Sequence, residues 1–541
     1  METVSIVFGG IGLFLLGMTL MTDGLKALAG DSLKQLLSKF TGGSFSAIFS
    51  GTVLTAVIQS SSATTLMTIG FVSAGLLTFS QSIGIIIGAN LGSTSMGWIV
   101  SFIGFKVNMG LLASPLIGVG ALLKFFSKGK YSPHGMAIAG FGLIFLGIDI
   151  LQGGMSGLTE SFTLESVGSP TFLQMLFLIV VGIAMTIVMQ SSSAAIVITL
   201  SALAVDAISF DQAAVLVIGQ NVGTTVKAFI ATIGGSVAAK RTALAHIYFN
   251  VFTALVAFIC LPLIRSFIFW LLDLFNSADL AIALAIFNTL IYVVGIVVLM
   301  PFLAQFRRFI AWRVPDKSDK LTKYLDPSVA TIPPVAIEAV RRTLIKVTKV
   351  IATVGAELYQ ANQMTNNMSE KLEEAGMALS EARQFLSKIS DEPLATTKYD
   401  YQRQVSLIHV IDHLQRMLKA FEEREITLNW NNDEEVNTLA NKMKELFTLI
   451  ETSLSYEGIA DLVDKAETNS MAIAEVRRQS RKAIIEKTVL SQADVNDAIQ
   501  MVHTIHWIDR IAYHLWRGIH HLHRCQEESI DDELVPKRDI I

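Results

Sequence analysis

Gln59-Ser60-Ser61-Ser62-Ala63-Thr64-Thr65 is a run of polar side chains set in sequence apolar enough to lie in a lipid bilayer, and it returns as Gln190-Ser191-Ser192-Ser193. In hydrocarbon an unsatisfied hydroxyl or amide costs several kcal/mol. So many adjacent polar groups between short apolar arms read as a helix break lining a solute or ion site. The bland alternative is small-residue helix packing glued by hydrogen bonds between helices. Two copies in matching positions weigh against it.

The copies are in register over a long distance. An offset of 131 residues pairs Gly51 with Gly182, Thr55 with Thr186, Gln59 with Gln190, Gly88 with Gly219, Asn90 with Asn221, Gly92 with Gly223 and Thr94 with Thr225. Upstream the offset becomes 130 and pairs Gly10, Gly12, Gly17 and Gly24 with Gly140, Gly142, Gly147 and Gly154. This is an internal duplication.

Charge and hydropathy divide the chain. Of 541 residues 52% are hydrophobic, and the mean hydropathy is +0.52, too apolar for an ordinary soluble enzyme. The apolar residues concentrate before about residue 305. The net charge of −4 averages two unlike halves. Met1-Glu2-Thr3 lacks a basic leader, so the first apolar run is expected to be a retained span. Cys260 and Cys525 read as a core residue and a free thiol.

The expected fold is all-α: a polytopic membrane domain of two inverted repeats with broken or re-entrant helices, then a cytoplasmic helical bundle. The membrane domain covers 1–310, with repeat one at about 1–130, repeat two at about 131–265 and a further span at about 280–303. A linker at 311–335 carries Pro315, Pro327 and Pro333-Pro334, and the bundle occupies 336–541. Phe45 to Ile58 and Leu66 to Phe79 are each too short to cross about 30 Å of hydrocarbon. A re-entrant hairpin and an unwound helix both fit them. Asn90-Leu91-Gly92-Ser93-Thr94 and Asn221-Val222-Gly223-Thr224-Thr225 mark a second interrupted segment in each repeat.

Loop charges orient the chain. Lys26 to Lys39, Lys124 to Lys130, Lys240-Arg241 and Arg307-Arg308-Arg313 should be cytoplasmic, and the Glu160/Glu165 loop should not. The first span then runs opposite to its partner at Met136 to Leu151. Inverted repeats with broken helices meeting near the midplane are a secondary-transporter architecture.

Gln, Ser and Thr oxygens with carbonyls freed by a break suit a dehydrated Na+. Their hydroxyls with N–H groups at half-helix N-termini suit a tetrahedral oxyanion. The copies differ: Thr64-Thr65 faces Ala194-Ala195, and Ala89 faces Gln220, which would let one half-site lean towards a cation. Asp149 and Lys227 are charges within spans and candidates for function, or for structural pairing. The many histidines of the bundle read as residues on solvated helix faces. No nucleophile–base constellation, P-loop or dinucleotide fingerprint is present, so an enzyme is not expected.

Two Gln-Ser-Ser-Ser motifs, each followed some thirty residues later by an Asn-x-Gly-Ser/Thr-Thr element, resemble the type II sodium/phosphate cotransporter family over residues 1–305. The resemblance implies Na+-coupled transport of inorganic phosphate by alternating access in a bacterial inner membrane. It implies that Gln59, Ser60, Ser61, Ser62, Thr64, Thr65, Gln190, Ser191, Ser192 and Ser193 form the substrate and cation sites. Asn90, Ser93, Thr94, Asn221, Thr224 and Thr225 complete the candidate set. No cofactor is expected beyond Na+ as coupling ion. Expected partners are phosphate, Na+ and membrane lipid, with no nucleic acid; a homodimer and a cytoplasmic phosphate-signalling partner stay open. The bundle, introduced by Tyr324-Leu325-Asp326-Pro327, resembles the PhoU phosphate-signalling family, whose carboxylate metal motif is degraded here to Gln415/Lys419 and Asp509/Tyr513. A carrier of another oxyanion or a carboxylate, and a solute-sensing receptor, are the competing readings.

Overall fold

A computed structural model describes residues 2–39, 43–104, 109–127, 131–161, 170–233, 235–316, 321–330, 332–361, 363–389, 398–423, 434–455, 459–489 and 494–526. The described residues are mostly helical, without strands. The chain divides into two compact units, Met1–Val72 with Leu76–Asp316, and Ser73–Gly75 with Lys317–Ile541.

The first unit contains α1 (Glu2–Lys39), α2 (Ser44–Ile58), α3 (Ser61–Ser73), α4 (Phe79–Ser93), α5 (Ser95–Ile99), α6 (Met109–Phe126), α7 (Ser132–Ser161) and α8 (Phe172–Met189). It continues with α9 (Ser192–Ala204), α10 (Phe210–Gly223), α11 (Thr225–Ala231), α12 (Val237–Ile259), α13 (Leu261–Leu274), α14 (Leu280–Leu299) and α15 (Leu303–Arg313). Among the described residues seven helical stretches are long and apolar enough to cross a membrane, while α2 and α9 are shorter apolar helices.

Glycine contacts give the directions of packing. Gly10 lies against Leu151, Gly17 against Ile144 and Gly24 against Ala137, so α1 and α7 run antiparallel. The contacts come in exchanged pairs. A Cβ on Gly17 would lie 2.7 Å from the Gly140 carbonyl oxygen, and one on Gly147 would lie 2.8 Å from that of Gly10. Under the 130-residue offset these two pairs interchange. Such an interface has pseudo-twofold symmetry across antiparallel helices, the relation that inverted repeats require.

The same logic decides the form of the breaks. Gly84 packs beside Ala47, Gly88 beside Ile48, and Gly92 beside Thr52 and Thr55, so α2 and α4 run parallel. Gly219 beside Ile179 and Gly223 beside Ile183 and Thr186 make α8 and α10 parallel too. The chain leaves the end of α2 and must regain its start to begin α4. α3, and likewise α9, therefore returns along the preceding helix, and each polar motif is the tip of a re-entrant hairpin.

Three expectations need correction. The interruption at Asn90 to Thr94 and at Asn221 to Thr225 is narrower than expected: a single turn residue, Thr94 between α4 and α5 and Thr224 between α10 and α11, breaks the helical stretches Phe79–Ile103 and Phe210–Ile230. Ser93, Thr94, Thr224 and Thr225 donate their hydroxyls to carbonyls three residues back at 2.6–2.8 Å. Several charges used for orientation sit in helices rather than loops, Lys26 in α1, Lys240 and Arg241 in α12, and Arg307, Arg308 and Arg313 in α15. Lys128, Lys130 and Glu165 lie outside the described residues.

The second unit contains α16 (Pro333–Ala361), α17 (Asn366–Leu386), α18 (Lys398–Glu422), α19 (Glu434–Ser453), α20 (Ala460–Val489) and α21 (Val495–Arg524). Their apolar faces meet in a core that includes Val340, Leu344, Leu414, Phe447, Ile508, Leu515 and Trp516. Only some histidines of α18 and α21 are on solvated faces, the third correction: His409 and His503 are exposed, whereas His413, His506, His520 and His523 are partly buried. His514 and His521 are buried, His521 stacks on His409 and His413, and the Nδ1 atoms of His413 and His514 lie 3.0 Å apart. Burial, then the neighbouring His514 and Arg517, push His413 down to about 4; burial with Arg416 and Arg510 does the same to His514. Asp412 to Arg416 and Asp509 to His514 face each other beside a cavity of about 610 Å³ that Arg416, Arg477, Asp509, Arg510, Tyr513 and His514 help to line.

Candidate functional site

Each hairpin tip turns on its glutamine. Gln59 ends α2 at φ 58° and Gln190 ends α8 at φ 54°, both left-handed. Such a conformation costs a residue with a side chain on the order of 1 kcal/mol and persists where its surroundings enforce it. That both copies hold it marks a shared architectural demand. The next residue caps the returning helix: Ser60 Oγ accepts from Ala63 N at 3.2 Å and Ser191 Oγ from Ala194 N at 3.2 Å. The first N–H groups of α3 and α9, with the positive ends of their dipoles, are thereby presented at the tips.

The two tips line one cavity. Its volume is about 420 Å³, and its wall includes Gln59, Ser60, Ser61 and Ser62 from repeat one and Gln190, Ser191, Ser192 and Ser193 from repeat two. The hydroxyls of Ser61, Ser62, Ser192 and Ser193 bond to no described residue. α1 adds Thr22, Asp23 and Lys26, and α11 adds Lys227. Asp23 and Lys26 pair at 3.5 Å. Lys227 forms no ion pair with a described residue; its ammonium donates to the main-chain carbonyl of Gln190. The cavity therefore carries one uncompensated positive charge. A void of about 10 Å³ adjoins Ser61, Ser62, Thr65, Thr224, Lys227 and His246, room for one water-sized species.

The remaining candidates sit behind this wall. Thr64 is fully buried; its hydroxyl accepts from Thr55 at 2.9 Å and joins the two arms of the first hairpin. Ala195 cannot make that bond. In repeat two Gln220 takes over, its side-chain amide donating to Ala195 O at 3.2 Å and Thr199 Oγ1 at 2.7 Å while its main-chain carbonyl accepts from Thr186 at 3.0 Å. Asn90 Oδ1 is 3.3 Å from His246 Nε2, and Asn221 donates to Asn288 at 3.1 Å. Gln59 Nε2 donates to Ser95 at 3.0 Å and ties the first tip to the Asn90 segment. Ser93, Thr94 and Thr225 spend their hydroxyls on backbone and are not brought to the cavity.

Asp149 is exposed on α7, away from the cavity. The sequence marks Lys26 only as an orienting charge and does not single out Asp23, although both line the cavity. The signal was available, since the apolar stretch runs on for 26 residues, Thr3–Leu28, further than a span needs.

Two helix N-termini, free serine hydroxyls and an unpaired ammonium around a walled cavity are complementary to a small oxyanion. Comparison with known proteins agrees with the class of solute. The profile of the Na+/Pi-cotransporter family matches residues 13–153 and 171–300, one block for each repeat. YqeW of Bacillus subtilis (strain 168), an uncharacterized protein, is 33% identical over 310 residues, 56% of this chain and 96% of its own length. YjbB of Escherichia coli (strain K12), a protein named for inorganic phosphate export, is 28% identical over 353 residues, 64% of this chain. YjbB of Salmonella typhimurium is 26% identical over 352 residues. The chain spans 63% of the length of either YjbB. No solved structure matches. With both halves of the duplication matched by one profile, and with YqeW similar over nearly its whole length, the chain belongs to the Na+/Pi-cotransporter family.

Proposed function

We propose that this chain moves inorganic phosphate across the bacterial inner membrane, coupled to Na+, by alternating access around the cavity between the two hairpin tips. The observation that carries the reading is that Gln59 to Ser62 and Gln190 to Ser193 face one cavity with free hydroxyls and a net positive charge. The antiparallel α1/α7 pair supports alternating access, because pseudo-symmetric halves can exchange roles as the site opens to either side. YjbB is named for export; a coupled carrier runs whichever way ion and solute gradients drive it. The helical bundle, by its resemblance to the PhoU family, is proposed as a cytoplasmic regulatory domain. Gln59, Ser60, Ser61, Ser62, Thr65, Gln190, Ser191, Ser192, Ser193 and Thr224 are assigned to substrate and ion binding, Thr64, Asn90 and Asn221 to support from behind the wall, and Ser93, Thr94 and Thr225 to the backbone that carries it.

Purified protein in proteoliposomes should accumulate labelled phosphate when an inward Na+ gradient is imposed, and much less with choline replacing Na+. Uptake of sulfate or a dicarboxylate in place of phosphate would transfer the site to another substrate. No flux of any of these under a Na+ gradient would remove the reading.

A further inference from the structure

The two half-sites treat the carbonyl at the hairpin tip differently. In repeat two, Lys227 reaches from α11 and donates to the carbonyl of Gln190, the backbone oxygen freed where α8 breaks. Its counterpart under the 131-residue offset is Met96, buried in the apolar core. Among the described residues, no ammonium takes the carbonyl of Gln59. A freed carbonyl flanked by hydroxyls is the kind of oxygen cage that holds a dehydrated monovalent cation. Ser191, Ser192 and Ser193 flank the Gln190 carbonyl on the cavity that Lys227 also lines, and on its other side Lys227 adjoins a void for one water-sized species beside Thr224 and the repeat-one hydroxyls of Ser61, Ser62 and Thr65. A half-buried ammonium with no carboxylate partner is costly unless an anion completes it.

We infer that the Lys227 ammonium replaces a coupling cation in the repeat-two half-site. Repeat one draws its cation from solution, whereas repeat two carries its positive charge covalently. Phosphate is then neutralised jointly by one transported Na+ and one resident lysine. The inference rests on the Na+-coupled phosphate reading above and sharpens it: the chain has a single Na+-accepting half-site. Asp23, the carboxylate lining the same cavity, is held by Lys26 and does not neutralise Lys227.

The test compares full-length wild type with Lys227→Met and Lys227→Gln in proteoliposomes, over a grid of Na+ and phosphate concentrations. Wild-type uptake should rise with Na+ with a Hill coefficient of about 1, the limit for one site. At Na+ that saturates wild type, Lys227→Met should raise the phosphate concentration for half-maximal uptake roughly 10- to 150-fold, as expected for losing a charged hydrogen-bond partner. Raising Na+ should restore uptake, with the coefficient moving towards about 2 as a second cation takes the Gln190 carbonyl. Lys227→Gln, which keeps a donor but no charge, should behave like Lys227→Met. Variants with wild-type phosphate and Na+ dependence, or a defect that Na+ does not relieve, would overturn the inference. If the variants fail to insert, the wild-type coefficient decides, and a value of about 2 or more rejects the single half-site. Absence of any Na+ stimulation in wild type sinks the parent reading instead.

Discussion

At the scale of single residues, the left-handed glutamines combine two demands that substitution can separate. Glycine adopts φ near +55° without a steric penalty, whereas a β-branched residue there is an outlier. Gln190→Gly should keep or slightly raise the thermal stability of the detergent-solubilised protein, and Gln190→Val should lower it by about 1–2 kcal/mol. Both should lose transport if the side-chain amide binds ligand. Gln59→Ala and Gln190→Ala should each shift half-saturation for Na+ or phosphate by roughly 5- to 150-fold, the effect of leaving a desolvated ligand short of one polar partner. Wild-type kinetics in a stable Gln190→Gly protein would reduce that glutamine to a turn former. The polar motifs were legible in sequence because hydroxyl runs are conspicuous among apolar neighbours. The fate of each hydroxyl was not. Thr64 differs from Ser62 in being buried and in its partners, the hydroxyl of Thr55 nine residues back across a chain reversal and the carbonyl of Ser60. The exchange of Ala89 for Gln220 reads in sequence as a functional asymmetry. In the fold, Gln220 bonds Ala195 and Thr199 where repeat one uses the Thr55–Thr64 bond.

At the scale of elements, the hairpins are held by helices in backbone contact. A Cβ on Gly88 would come 1.9 Å from the carbonyl oxygen of Ile48, and one on Gly219 would come 2.1 Å from that of Ile179. No side-chain rotation relieves a clash with backbone. Gly88→Ala and Gly219→Ala should each destabilise the protein by at least about 1–3 kcal/mol, the cost of overpacking. Gly12→Ala, where nothing lies within 4 Å, should be neutral. Thermal unfolding in detergent measures all three, and equal stability of Gly88→Ala and Gly12→Ala would contradict the parallel α2/α4 packing. The repeated glycines were visible as a duplication, but their partners came only with the fold. Hairpin and unwound helix share one hydropathy pattern; the register of α2 against α4 separates them. The burial of His514 and His521 was not legible, because helical periodicity locates a face without naming what covers it.

At the scale of the whole molecule, every residue of the candidate site belongs to the first unit, and the duplication explains why it has two related walls. The broken symmetry lies in the charges. Asp23, Lys26 and Lys227 correspond to Gly153, Ser156 and Met96 in the other repeat. The central claim is that the two tips act on one bound solute. A double-mutant cycle tests it most directly, with phosphate half-saturation measured for Ser62→Ala, Ser193→Ala and the pair in proteoliposomes at fixed Na+. Groups on a shared ligand couple by about 0.5–3 kcal/mol, whereas independent sites add within about 0.5 kcal/mol. The double variant should therefore depart from the sum of the single effects by more than that margin. Strict additivity, or an effect from only one of the two serines, would contradict a single site between the repeats.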